Sequence, residues 1–284
     1  MDKMRMLRAI RSELWAMRPE AFAQYLSFVL TVDVEEKTPR LPRVEGKVAV
    51  IPIHGTIGHR RSSGYWADTY SEDIAKYLAE VVAGPGVGAA ILDIDSPGGT
   101  VAGLSEVADA VNAVKASKPI YAVANPEAAS AAYHIASQAT KLFATPSGEV
   151  GSIGVWAAHQ DVSAMLEQAG VKVSIISAGK YKTEGNPFEP LSDDAREEIQ
   201  RNVDMHYDRF LGAVASGRGV NKSVVREQFG QGRMIEADRA KELGMIDGIA
   251  TMGEVVGGLV KSTRQDRMRA ADLGIRLTES SFRR

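Results

Sequence analysis

The chain contains no cysteine, which excludes disulfide bridges, thiolate metal sites and a cysteine nucleophile. It also lacks an excess of positive charge. Lys and Arg number 34 against 36 Asp and Glu, a formal charge of -2 with a pI near 6.3. Phosphate backbones are held by a clear basic surplus, so nucleic acid is not expected as a direct ligand. Long apolar runs are missing too. The uncharged segment "AFAQYLSFVLTV", Ala21 to Val32, is shorter than the roughly 20 residues a helix needs to cross a bilayer. No small-residue cleavage site follows it in "TVDVEEKTPR". The first 32 residues therefore read as one or two amphipathic helices that dock on the body or on a partner. No stable membrane insertion is expected, and a cytoplasmic location is.

What remains is an ordinary globular composition, 44% hydrophobic and 25% charged over 284 residues, enough for a real core. "DVEEKTPRLPRVEGK", Asp33 to Lys47, carries charge and two prolines and reads as a linker. Strand-like and helix-like segments then alternate. "KVAVIPIHG" suits a buried strand, "YSEDIAKYLAEVVA" a helix, "VGAAILDID" a strand, and "VAGLSEVADAVNAVKA" a helix. "PIYAVAN", "ASAAYHIASQA", "KLFAT" and, further on, "VKVSIIS" continue the pattern. Short glycine-rich joints between such units indicate an α/β fold with a largely parallel sheet covered by helices. Ser192 should cap a helix whose Ile199, Val203, His206, Phe210 and Val214 form one packed stripe. The organisation expected is a helical arm and linker over 1–45, one domain over 46–262, and a polar tail over 263–284.

Two stretches carry candidate chemistry. In "DIDSPGGTVAG", Asp93 to Gly103, a strand runs into a Ser-Pro turn and two glycines before a helix. The N–H groups of Gly98, Gly99 and Thr100 are then candidates to face a cleft, where they would suit an oxyanion or another anion. The pattern matches neither G-x-x-x-x-G-K-[ST] nor G-x-G-x-x-G, and a plain tight turn is the alternative. In "ANPEAASAAYHIAS", Ser130 opens a helix after a strand, at the sheet end where open α/β folds bind ligands. It can be a helix cap worth about 1 kcal/mol, or a nucleophile whose oxyanion is held by Ala131 N–H with Gly98 or Gly99.

A serine nucleophile needs a base. The chain has five histidines and no G-x-S-x-G elbow. His134 lies one helical turn beyond Ser130, and His159 is followed by Asp161. A lysine serves instead if burial makes a neutral amine available, and "GKYKTEGNPF" offers Lys182 with Lys180 nearby. His206, within an apolar stripe, reads as a packed histidine.

"DSPGG", "ASAAYHIAS", "GSIGV" and "GKYKTEGNPF" together resemble, in order and spacing, the signal peptide peptidase A family of Ser-Lys peptidases. The chain is similar within it to the capsid-assembly (prohead) proteases of lambda-like phages. "VAGL" after the glycines and "GNPF" with "LSDDARE" after the lysine carry that likeness. The resemblance implies a crotonase/ClpP-like fold, Ser130 as nucleophile, Lys182 as general base, and Gly98, Gly99 and Ala131 as oxyanion donors. It further implies no cofactor or metal, a polypeptide substrate such as a scaffold or capsid protein, and a homo-oligomeric ring in which the dyad can span two subunits. The bacterial enzymes of that family have two glycines after the serine where this chain has Ala131 and Ala132, which narrows the cleft slightly without removing a backbone donor. Ser152 of "GSIGV" is a candidate to support the lysine or, equally, to shape a tight strand turn. The loop "GTIGHRRSSGYWADTYS", with Trp66 and Tyr70, is a candidate cleft rim or a free surface loop. A membrane-independent signal-peptide-degrading peptidase, an acyl-CoA enzyme and a catalytically silent shell component are the rival readings.

Overall fold

A computed structural model of the protein describes residues 14–24, 40–60 and 67–265. In chain order its strands are β1 (Trp15–Met17), β2 (Arg43–Glu45), β3 (Val48–His54), β4 (Ile57–Gly58), β5 (Thr69–Tyr70), β6 (Ala89–Ser96), β7 (Gly98–Thr100), β8 (Ile120–Ala129), β9 (Lys141–Ala144), β10 (Glu149–Gly151), β11 (Met234–Glu236) and β12 (Gly248–Ile249). Its helices include α1 (Ser71–Ala83), α2 (Leu104–Lys115), α3 (Ala131–Ala136), α4 (Ser163–Gln168), α5 (Asp193–Arg218), α6 (Lys222–Gln228) and α7 (Ala237–Glu242).

The main sheet runs β11-β10-β8-β6-β3-β2, with β9 also on β8 and β12 on β9. Strands β3, β6, β8, β9 and β10 pair in parallel. Parallel strands covered on both faces read as unbroken apolar runs, which is why "VAVIPIH" and "AAILDIDS" are buried almost throughout. Ile74, Leu78 and Val81 of α1 and Leu104, Val107, Val111 and Val114 of α2 recur at helical spacing. They pack in one core with Ile51, Ile53, Leu92 and Ile94. On the opposite face Val48, Val50, Ile91 and Val123 meet Val255, Val256 and Leu259 of the helical residues 252–265. Truncating one of these aliphatic side chains to alanine costs about 2–5 kcal/mol.

A smaller sheet, β1-β7-β4-β5, stands at the carboxyl end of β6. It corrects three expectations. Trp15, Ala16 and Met17 are a fully buried strand rather than part of a helix, because β7 offers them an open edge and they pair antiparallel along it. Among the described arm residues only 19–24 are helical. "GGT" is itself a strand rather than a turn, since β1 and β4 flank it on both sides. Tyr70 is buried in β5 and forms no rim; Trp66 lies outside the described residues.

Two further differences concern the second half. "VKVSIIS" forms no strand. No sheet edge of the described chain receives it, so Val171, Val173 and Ile175 stand in solvent and Ile176 is 98% exposed. Helix α5 begins at Ser192, whose side chain accepts from Ala195 N–H, and ends at Gly219 with φ 66. Its C-terminal half buries Phe210, Leu211, Val214 and Ala215, whereas Ile199 and Val203 remain partly open.

Candidate active site

Ser130 sits between the end of β8 and the start of α3, with φ 52 and ψ -115. A non-glycine residue held there costs of order 1–3 kcal/mol. Its backbone is fixed on both sides: the N–H donates to Gly151 O at 2.8 Å, and the carbonyl accepts from His134 N–H at 2.9 Å. The hydroxyl makes no capping bond to α3, although the residue is only 1% exposed. The strain therefore comes without the gain of a cap. Ala131 holds the first helical position, where a backbone N–H has no partner inside the helix.

The glycine strand lies directly against this serine. Gly98 has φ 100, and a methyl group on it would collide with the Ala16 carbonyl oxygen while standing 3.0 Å from Ser130 Cβ. A methyl on Gly99 would collide with the Ile57 carbonyl oxygen. Close approach of backbone is thus what both positions require of glycine. The Gly98 N–H is taken, 3.2 Å from Ser96 Oγ, and the Ser96 hydroxyl donates in turn to Gly55 O at 2.6 Å. The serine of the Ser-Pro turn thus holds the glycine strand in place through its side chain. The structure brings Gly98 and Ser130 into contact, with Gly99 and Ala131 adjoining them in the chain.

Ser152 adjoins the same place. It follows Gly151, the acceptor for Ser130 N–H, and shares the unusual backbone with φ 51. Its own N–H donates to Arg233 O at 2.9 Å, and it is buried. Three residues before Ser96, β6 carries a buried polar group that the sequence does not reveal: Asp93 accepts from Asn125 Nδ2 at 3.0 Å and pairs with His54 Nε2 at 3.5 Å. Burial by itself would raise the Asp93 carboxyl, but the adjacent His54, the hydrogen bond from Asn125 and the charge of Arg43 hold it below the usual carboxylate range.

The candidate bases are placed differently. Lys182 lies in the turn-rich residues 180–185 and is exposed, and no hydrogen bond joins it to Ser130 among the described residues. Lys180 donates to Tyr181 Oη at 2.7 Å. Around them Val171, Val173, Ile175, Ile176, Tyr181 and Phe188 are exposed apolar or aromatic side chains. His134 is 6% exposed, packs edge-on to Phe210 at 5.0 Å, and has no partner for Nδ1 among the described residues. Burial pushes its pKa down to about 4, so it is neutral near pH 7. His159 has no partner for Nε2 among the described residues, and Asp161 accepts instead from Ser163 N–H at 2.9 Å. His206 is half-buried; burial, then the Arg209 charge, lowers its pKa. Among the described residues no helix is long and apolar enough to cross a membrane.

The chain is similar to three proteins named for head assembly or proteolysis. Capsid assembly protease C of Escherichia phage lambda is 31% identical over 239 residues, 82% of this chain and 54% of that one. Head-tail preconnector protein GP5 of Enterobacteria phage P21 is 32% identical over 223 residues, 78% of this chain and 44% of that one. Protease 4 of Haemophilus influenzae is 30% identical over 217 residues, covering 75% and 34% respectively. The chain spans about half the length of the two phage proteins. A solved structure of a ClpP1 mutant from Listeria monocytogenes aligns with a TM-score of 0.46 at 16% identity, over 71% of this chain and 90% of that one. The family model for peptidase family S49 matches residues 112–265, a span that includes Ser130 and Lys182, and on that match the chain belongs to peptidase family S49.

Proposed function

We propose that this protein is a serine endopeptidase using a Ser130–Lys182 dyad, and that its substrates are scaffold or capsid proteins of an assembling phage head. The observation that carries the reading is Ser130 itself: a serine in a strained backbone, without a capping bond, in contact with a glycine that admits no side chain. Lys182, as a neutral amine, takes the Ser130 proton while the hydroxyl attacks a peptide carbonyl. The oxyanion rests on Gly99 and Ala131 N–H groups. Gly98, whose N–H is engaged by Ser96, shapes the strand rather than donating. The leaving amine receives the proton, and water releases the acyl group from Ser130. Ser152, beside Ser130, supports the incoming lysine. The cycle calls for no cofactor.

A lysine base needs desolvating surroundings, which an exposed turn does not supply. We assign those surroundings to a second copy of the chain. Val171, Val173, Ile175 and Ile176, with Tyr181 and Phe188, expose apolar surface that water would not select, and burying it on a neighbour would carry Lys182 into a dry interface. The active form is then a homo-oligomeric ring with dyads shared between subunits. Such an enzyme would stay silent in the host cytoplasm until it assembles, within or beside the prohead.

The reading is tested by digesting casein, and any co-encoded scaffold or capsid protein, from about pH 6 to about pH 10. Wild type should cleave faster as pH rises. Ser130→Ala and Lys182→Ala should each lose at least about 1,000-fold. Cleavage that survives Ser130→Ala removes the nucleophile, and cleavage that survives Lys182→Ala turns attention to His159. A wild type inactive in every oligomeric state favours a silent shell component.

A further inference from the structure

We propose that the enzyme's first substrate is its own strand β1, and that Ser130 cuts the peptide bond between Ala16 and Met17. This rests on Ser130 being the nucleophile, as set out above.

Strand β1 lies antiparallel on the glycine strand in the register Trp15↔Thr100, Ala16↔Gly99, Met17↔Gly98. Just outside it, Arg18 N–H donates to Pro97 O at 3.2 Å and Val101 N–H donates to Leu14 O at 3.0 Å. On its other edge Trp15 exchanges both backbone hydrogen bonds with Trp156, at 2.9 and 3.0 Å. An extended segment held on both edges by main-chain bonds, with alternate side chains in pockets, is how a strand-shaped cleft receives a peptide.

The register places one carbonyl at the chemistry. Bonds at Arg18–Pro97 and Leu14–Val101 fix the alternation of the antiparallel ladder, which makes Ala16 and Gly99 a hydrogen-bonded pair. Gly99 N–H, the proposed oxyanion donor, therefore serves the Ala16 carbonyl. That same oxygen and Ser130 Cβ both border the space where Gly98 would carry a side chain. The Ala16 oxygen and the Ser130 side chain thus both stand against Gly98.

The flanking residues are held as a bound peptide would be. Leu14 and Ala16 line a cleft of about 480 Å3 with Leu104, His134, Val155 and Phe210. Trp15 points into a cluster with Phe22 and Trp156, ring centroids 4.9 and 6.3 Å away. Beyond the bond, Trp156 Nε1 donates to Met17 O at 2.8 Å, and Arg18 pairs with Glu127 at 2.7 Å.

In the step itself, Ser130 Oγ bonds to the Ala16 carbonyl carbon and its proton passes to Lys182. The bond from Ala16 to the Met17 nitrogen breaks, and that nitrogen takes the proton from Lys182 and becomes a new terminal amine. A water then hydrolyses the ester, leaving a carboxylate on Ala16 and restoring the Ser130 hydroxyl. One water is consumed. Until β1 is cut and leaves, it fills the cleft, so external substrates should be cleaved only after a lag.

The test follows intact mass and N-terminal sequence of the full chain during incubation, alongside casein cleavage. Expected are loss of residues 1–16 and a new Met17 N-terminus in wild type, a full-length Ser130→Ala, and at least a tenfold slower loss in Ala16→Arg. The casein lag should match the rate of self-cleavage. Should Ala16→Arg fail to fold, the comparison of wild type with Ser130→Ala still decides. A wild type that digests casein while its own Ala16–Met17 bond stays whole overturns this proposal and leaves the proposed function standing. Cutting of Ser130→Ala at the same bond, or of wild type elsewhere only, overturns it as well. A chain that cuts neither itself nor casein takes both proposals down together.

Discussion

Replacing His134 by leucine should change how stability depends on pH. The imidazole is 6% exposed, and its pKa falls from 6.5 to about 4 through burial. Glu106, His206 and Arg209 line the same cleft. A depressed folded pKa means that the native state keeps His134 neutral while the unfolded chain takes up a proton below about pH 6.5. Stability is therefore fully present above that value and is lost as pH falls toward about 4. The shift of about 2.5 units corresponds to about 3 kcal/mol over the whole window, at 1.36 kcal/mol per unit. About 2 kcal/mol of it should disappear between pH 7 and pH 5. Urea unfolding of wild type and His134→Leu at the two pH values measures this. The variant should lose about 2 kcal/mol less than wild type. At pH 7 it should be close to neutral, since Nδ1 has no partner among the described residues to forfeit. Parallel pH dependence in the two proteins would refute the reasoning and place the ring in contact with solvent or with a charge.

Other substitutions probe the elements around the site. Gly99→Ala drives a methyl into the Ile57 carbonyl and should cost at least about 1–3 kcal/mol, read as a fall in the unfolding midpoint; an unchanged midpoint would mean that β7 and β4 are further apart. Asp93→Ala removes the acceptor for Asn125 and the partner of His54 and should cost about 2 kcal/mol at pH 7. Because the Asp93 pKa is lowered on folding, that difference should shrink as acid protonates the wild-type carboxylate; a difference constant with pH would contradict it. Ile176→Asp, at an almost fully exposed residue, should leave the monomer's thermal stability within about 0.5 kcal/mol. It should nevertheless weaken assembly in sedimentation and lower peptidase activity. Assembly identical to wild type would detach the 171–176 surface from the interface.

The parts of the fold that the sequence made visible are those whose burial is symmetric. β3 and β6 are covered on both faces, so their apolar runs are continuous, and α1 and α2 show one stripe each because one face meets the sheet. Ser130 was legible as the residue between a strand and a helix, but its φ of 52 and its missing cap bond were not. Those follow from contacts with Gly151 and the glycine strand, which lie far away in sequence. β1 could not be read locally: three residues give no period, and "LWAM" fits an amphipathic helix until the edge of β7 is known. "VKVSIIS" failed for the converse reason, since β-branched residues favour a strand only where a neighbouring strand supplies hydrogen bonds, and the described chain supplies none. Asp93 is hidden because its partners, His54 and Asn125, reach it only through the packing of separate strands; of the two bonds made by the Ser96 side chain, the one to Gly55 is equally remote in sequence, whereas the one to Gly98 spans two residues.

The most direct test of a Ser130–Lys182 pair assembled between copies is subunit complementation. Ser130→Ala and Lys182→Ala proteins, each inactive alone, would be dissociated, mixed in equal amounts and allowed to reassemble before casein is added. Random mixing leaves about one interface in four with both an intact serine and an intact lysine, so activity should return to about a quarter of the wild-type rate. Mixed assemblies that form and remain inactive would contradict a dyad shared between subunits.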